Sequence, residues 1–323
     1  MPNTIGKMPT LPSASQAQLK NIGKNHTQSK AITQQTNNLF PLNFKLHALS
    51  FPKMSADYHT HTPLCLHAEG TPEQYIDAAI AAGLTEYGIS DHAPVQKPDG
   101  SEPFDDWRML SAQIPEYIEW INAAKAHAGD RITVRCGLEC DWLPDCEAWT
   151  QHLRTLYPWD YLIGSVHYIG EENWDFDNPK WLGKWAESDV DQAWDLYWQT
   201  YTDMADSGLY DILAHPDLIK KFGYTPTGDL SRYYEPAIDA IATSGTIIEL
   251  NTAGLHKPCA EAYPDIAFLE LARDAGIDLI ISSDAHHPSE VARDRETATT
   301  IAKAAGYTHT TLINQRQRSY SAL

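Results

Sequence analysis

From residue 54 onward, short apolar runs alternate with longer amphipathic stretches. Runs at 54–59, 86–90 (EYGIS), 132–138 (ITVRCGL), 161–166 (YLIGSV), 211–214 (DILA), 245–250 (GTIIEL) and 278–282 (DLIIS) predict buried strands. A further short run at 309–313 (HTTLI) is expected to close the series. Between the runs, residues 72–83, 111–128, 147–156, 189–207, 231–244, 264–276 and 290–305 read as helices. Several of these end on a glycine, as at Gly83, Gly129, Gly208, Gly245, Gly276 and Gly306. Strand and helix alternating some seven times predict an α/β protein with a parallel sheet. A closed or nearly closed barrel is favoured over an open doubly wound sheet.

Composition narrows this picture. The chain has 323 residues, 42% of them hydrophobic, enough for one large α/β domain or two ordinary ones with a sizeable core. It contains no uninterrupted apolar run of membrane-spanning length and no secretory signal pattern, so a soluble, cytoplasmic protein is expected. Five cysteines, an odd number without a CxxC pair, suit a reducing compartment better than a disulfide framework or a zinc ribbon.

Charge divides the chain in two. Residues 1–53 hold six lysines and no Asp or Glu, are rich in Ser, Thr, Asn and Gln, and lack periodicity; they are expected to form a disordered basic extension. The absence of acids is shared with organelle transit peptides, the absence of arginine is not. Met54, just before the first strand, is a candidate natural start. Residues 54–323, read as the single barrel domain, carry a net −25 against −19 for the whole chain. That charge argues against nucleic acid or an anionic membrane as the main partner. Oligomeric state is left open.

The chemistry sits at the strand ends. His59 and His61 follow the first predicted strand, Asp91 and His92 the second, Glu139 the third, His167 the fourth and His215 the fifth. Glu249 and Asn251 close the sixth, Asp284 and His286 the seventh, and His67 follows the first HxH pair closely. In a parallel barrel all these ends meet at one mouth, where active sites are built. Many of the residues are also two apart (Asp57/His59/His61, Glu139/Asp141, His215/Asp217, Glu249/Asn251, Asp284/His286), which aims them to one side of a strand. A single HTH is commonly two histidines with ordinary partners. The same coincidence at seven strand ends points instead to divalent transition metals, more than one of them. Asp57, Asp91 and Asp217 are left over to orient imidazoles.

The segments DYHTHTPLCLHAEGTPEQYIDAAIAAGLTEYGISDHAP, GLECDW, GSVHYI, LAHPDLIK, ELNTAGLHK and SSDAHHP resemble, in order, the motifs of the polymerase and histidinol phosphatase (PHP) superfamily, closest to its histidinol-phosphatase branch. The resemblance covers about residues 56–290. It implies a distorted (β/α)7 TIM-like barrel holding three divalent ions, zinc, manganese or iron. By motif it assigns His59, His61, Glu139 and Asp284 to the first metal, His67, His92 and His286 to the second, and His167, His215 and the shared Glu139 to the third. One departure stands out: His256 occupies a position where the branch often has a basic residue, which shifts the expected phosphate anchor to Lys257 or an arginine such as Arg108, Arg293 or Arg295, with Asn251 a further substrate contact.

The implied activity is a metal-dependent phosphomonoesterase hydrolysing L-histidinol phosphate in histidine biosynthesis. Metals lower the pKa of bound water toward about 7, which would supply a bridging hydroxide and remove any need for a side-chain nucleophile. Asp57, Asp91 and His256 are the candidates to protonate the leaving group. The rival readings are a related phosphoesterase acting on a nucleotide or phosphodiester, an amidohydrolase, whose strand-end lysine is missing here, and a non-catalytic metal-stabilised module. Residues 168–191, with Trp174, Trp181 and Trp185, lengthen the loop after the fourth strand and would either close over the mouth or simply pack there.

Overall fold

A computed structural model describes residues 55–102 and 107–323. The expected basic extension 1–53 and Met54 lie outside the described residues.

In chain order the strands are β1 (Ala56–Asp57), β2 (Glu86–Ile89), β3 (Thr133–Cys136), β4 (Glu139–Asp141), β5 (Ile163–Ser165), β6 (Tyr168–Ile169), β7 (Trp174–Asp175), β8 (Ile212–Leu213), β9 (Ile247–Asn251), β10 (Leu279–Ser282), β11 (His309–Asn314) and β12 (Gln317–Ala322). The helices are α1 (Pro72–Ala81), α2 (Ile114–Ala128), α3 (Glu147–Leu156), α4 (Leu182–Glu187), α5 (Val190–Asp206), α6 (Ser231–Ser244), α7 (Ile266–Asp274) and α8 (Arg295–Ala304). Local chemistry sets their starts. At α1, Thr71 accepts from the Gln74 amide while the Gln74 side chain accepts from Thr71 N, with Pro72 in the first turn. Asp265 caps α7 by accepting from Phe268 N at 2.9 Å.

Two parallel arcs, β1-β2-β3 and β10-β9-β8-β5-β4, join into a distorted (β/α)7 barrel. The predicted strand 132–138 is longer than expected and breaks at Gly137: β3 pairs with β2, and β4 turns to pair with β5. The break leaves room for Tyr161, since a Cβ on Gly137 would lie 2.6 Å from the Tyr161 carbonyl oxygen. Gly137 N still donates to Ile89 O (2.8 Å) and Glu139 N to Asp91 O (3.0 Å), which keeps the arcs in register. The other seam is closed by the parallel bridge Thr60–Ala285, with His61 N donating to Ala285 O at 2.9 Å.

The run at 309–313 does not close the series, contrary to expectation. It forms β11, which pairs antiparallel with β12 and stays out of the ring. Leu312 and Ile313 instead pack among Tyr58, Tyr161, Ile163, Ile212, Ile247 and Ile280, and Ile313 N donates to the Tyr58 hydroxyl (3.2 Å). The N-terminal end of the barrel is thereby plugged with apolar side chains, and the polar strand ends are left at the opposite mouth. Residues 168–191 form the antiparallel β6–β7 pair and the short helix α4 beside that mouth. Trp185 packs inward, stacked on Tyr224 (4.8 Å between rings) and donating to Phe176 O at 2.7 Å, while Trp181 is 46% exposed.

Candidate metal centre

Glu139, at the start of β4, is the hub of the mouth. Its Oε2 lies 3.0 Å from His92 Nδ1, 3.2 Å from His59 Nε2 and 3.6 Å from His61 Nε2. Its Oε1 lies 3.2 Å from His215 Nε2 and 3.7 Å from His167 Nε2. Asp284 Oδ1 lies 3.0 Å from His61 Nε2 and 3.6 Å from His59 Nε2. The ring of His286 stacks on that of His61 (3.9 Å), and His67 lies against His286 (4.5 Å) and His92 (5.3 Å). Seven imidazoles and two carboxylates from six strand ends therefore share one space. His59, His61, His215 and Glu139 form its buried floor, and the others border an open cavity of about 500 Å³.

Donor chemistry fits divalent metals. Three groups, His59/Glu139/His215, His59/His61/Asp284 and His61/His92/His286, each place their ligating atoms within 4.8 Å of one another. His59 Nε2, His286 Nε2 and Glu139 Oε2 are buried without a hydrogen-bond partner. Left that way, each would cost roughly 1–3 kcal/mol. Five imidazoles are turned inward by a partner on Nδ1: Glu249 for His59 (2.8 Å), Asp91 for His61 (3.3 Å), Asp141 for His167 (2.6 Å), Cys65 O for His67 (2.8 Å) and Asp284 O for His286 (3.0 Å).

Electrostatics follow from that crowding. Burial disfavours charge on His59 and His61, yet the surrounding carboxylates outweigh it and raise both pKa values well above the usual histidine range. His167 is pushed up to about 10, burial being overcome by Asp141 and Glu139. Glu139 and Asp284 are held well below the carboxylate range because neighbouring imidazoles outweigh their burial. His67, lacking a carboxylate partner, is lowered to about 4 by burial and by His92 and His61.

The remaining expected residues are placed differently. Asp91 sits behind His61, accepting from Thr62 Oγ1 and His92 N, and does not line the cavity. Asp57 faces away from the centre: its carboxylate accepts from Ser283 N (3.1 Å), Ser283 Oγ and Ala292 N (2.9 Å), so it ties down the loop carrying Asp284 and orients no imidazole. Asp217 likewise holds Asp265 N (2.8 Å) and Lys220. Asn251 is buried below the cluster, bonded to Glu249 (3.0 Å) and Ala253 N (2.9 Å). His256 is paired with Asp294 outside the cavity, and Arg295 is half-buried, donating to Ala56 O (2.6 Å). Three expected phosphate anchors do line the cavity. Arg108 is pinned between Asp141 and Tyr168, Arg293 pairs with Glu290 (3.0 Å), and Lys257 is exposed.

Several residues went unassigned in the sequence reading. Asp141 and Glu249 orient His167 and His59, and the signal was present: each is at a strand end in an i, i+2 pair. Asp175, Asp177 and Lys221 line the cavity, with Lys221 paired to Asp177 at 2.7 Å. No sequence spacing marks them: β6 and β7 bring in Asp175 and Asp177 from the mouth segment, and Lys221 comes from the loop after β8.

A closed parallel barrel with a histidine–carboxylate cluster at the C-terminal mouth of its strands defines a metal-dependent barrel hydrolase. The chain belongs to the PHP domain family, whose model matches residues 57–253. Over 235 residues it is 41% identical to the Deinococcus radiodurans protein named "Probable histidinol-phosphatase", covering 73% of this chain and 87% of that one. It is 28% identical over 254 residues to the "Histidinol-phosphatase" of Bacillus subtilis, covering 73% of this chain and 94% of the relative. The crystal structure of histidinol phosphate phosphatase from Lactococcus lactis, complexed with zinc, L-histidinol and phosphate, shares the fold with a TM-score of 0.68 at 21% identity, over 82% of this chain and 98% of that one.

Proposed function

We propose that this protein is a histidinol-phosphatase, a phosphoric monoester hydrolase that converts L-histidinol phosphate to L-histidinol and phosphate. The observation that carries the reading is the convergence of nine histidine and carboxylate side chains, of a type that can ligate metals, at one barrel mouth, in a chain 41% identical to a relative of that name. Three ions, zinc, manganese or iron, are assigned to His59/His61/Glu139/Asp284, His67/His92/His286 and His167/His215/Glu139. When bound, they act as Lewis acids on the phosphoryl group and lower the pKa of water toward about 7.

The chain's own residues do the rest. The cavity, about 500 Å³, suits a small phosphorylated molecule. Lys257 and Arg293 stand on its wall as phosphate anchors, and Arg108, also on the wall, holds Asp141 and through it His167. Asp175, which also lines the cavity, is raised to about 7 by burial and by neighbouring Asp177, and this suits it to deliver a proton to the leaving alkoxide. That role passes to Asp175 from Asp57, Asp91 and His256, none of which borders the cavity.

Phosphate release is the deciding measurement. Chelator-stripped protein is assayed with L-histidinol phosphate, a nucleoside monophosphate and an aryl phosphodiester, with and without Mn²⁺ or Zn²⁺. Metal-dependent release with strong preference for histidinol phosphate is expected. Preference for either other substrate would overturn the substrate assignment, and absence of turnover with metals bound would overturn the enzyme.

A further inference from the structure

Glu249 lies on β9, 0% exposed, between two strands that carry ligands for different metals. Its Oε1 lies 2.8 Å from His59 Nδ1, and its Oε2 accepts from the His215 backbone N–H at 2.8 Å. Asn251 Nδ2 donates to the same Oε2 at 3.0 Å and reaches Asp284 Oδ2 at 3.4 Å. His215 has φ +24°, a backbone region that a side-chain-bearing residue rarely adopts, so its amide needs a fixed acceptor. Of the other carboxylates behind the cluster, Asp141 holds the His167 imidazole, and Asp91 holds the His61 imidazole together with the His92 backbone N–H. Glu249 holds a ligand side chain from the β1 end and a ligand backbone from the β8 end.

We infer that Glu249 is a positioning residue that couples the metal groups: its two oxygens fix the His59 tautomer and the His215 backbone together, so that both Nε2 atoms face the shared Glu139. This rests on the metal reading above and adds to it a residue that touches neither metal nor substrate. The chemistry makes a sharp prediction for Glu249→Gln. The site demands an acceptor at both positions, and glutamine has one. If the amide nitrogen faces His215 N–H, donor meets donor. If it faces His59 Nδ1, the imidazole must carry its hydrogen on Nε2, which closes the ligating atom.

The full chain is stripped with a chelator and retitrated with Zn²⁺ and with Mn²⁺. Bound metal is counted by plasma mass spectrometry, affinity is read by competition with a chromophoric chelator, and thermal unfolding is recorded without metal. For E249Q, affinity at the sites that use His59 and His215 is expected to fall about 10–100-fold, the usual effect of losing such a partner. The metal-free melting temperature is expected to fall, since the buried carboxylate that faces His59 has been removed, with the chain still folded at the temperature of the titration. Glu249→Asp, which keeps both acceptors on a shorter arm, is expected to recover part of the affinity. Wild-type affinity in E249Q overturns the inference, as does loss of the metal-free fold in both variants, which would mark a purely structural role. A wild-type chain that takes up no metal overturns the metal reading itself.

Discussion

At the scale of single residues the centre is dominated by one carboxylate. Glu139 approaches five imidazoles within 3.7 Å, from strand ends all around the barrel. Its negative charge is the common counter-charge for imidazoles proposed to serve all three metals, so a neutral isostere removes a proposed ligand and an electrostatic anchor together. Glu139→Gln is therefore expected to lower metal content and to reduce kcat by at least about 100-fold, beyond the effect typical of an orienting partner. Metal analysis beside steady-state kinetics checks this, and a variant with full metal content and near-normal kcat would contradict the hub. Contrast Asp57, which shares the HxH stretch with two proposed ligands yet faces away. The two-residue spacing suggested that Asp57, His59 and His61 aim together. Tyr58 and His59 both reach into the barrel instead, Tyr58 in its apolar plug and His59 in the centre, so the alternation breaks between them. Periodicity along a strand is reliable only while the strand stays regular, and β1 is regular over Ala56–Asp57 alone.

At the scale of elements, the mouth segment 168–191 sorts its tryptophans by environment. Trp185 is 1% exposed, stacked on Tyr224 and hydrogen-bonded to Phe176 O, whereas Trp181 is 46% exposed. Trp185→Ala is expected to destabilise by about 3–5 kcal/mol, the range for deleting a buried aromatic side chain. Trp181→Ala is expected to change stability by less than about 0.5 kcal/mol. Urea unfolding of both variants tests the pair; equal losses would mean that this segment is packed differently. Because β6–β7 carries Asp175 into the cavity wall, the first variant should also raise KM. The same segment shows where the sequence stops being legible. The seven strand–helix units were readable because each buries a continuous apolar strand and an amphipathic helix. A two-residue pair such as Tyr168–Ile169 with Trp174–Asp175 has no periodicity to detect, so the part of the cavity wall carrying Asp175 and Asp177 remained unread while its floor was visible in the strand-end histidines. The run at 309–313 looked like the others because it is apolar for a different reason, plugging the barrel from below.

For the whole molecule, protons and metals compete for one set of nitrogens. In the metal-free chain His59 and His61 are raised well above the usual histidine range and His167 to about 10, with carboxylates overcoming their burial. A group with a raised folded pKa contributes stability that is complete below its unfolded value, about 6.5 for histidine, and is lost as pH climbs through the folded value. The stripped protein should thus lose this contribution from about pH 6.5 upward, with His167 the marker near pH 10. Glu139 and Asp284, lowered by the same contacts, act at the acid end: their contribution holds above the ordinary carboxylate range and is lost as pH falls through their folded values. Metal ligation needs neutral imidazoles, so apparent metal affinity rises across the window in which the stripped protein weakens. The difference in Tm between metal-loaded and stripped protein should accordingly widen as pH increases from about 6.5. Thermal scans of both forms at several pH values measure it directly. A gap that stays constant or narrows would mean that these imidazoles are already neutral in the stripped protein, and that its carboxylates are balanced by something other than the histidines that surround them.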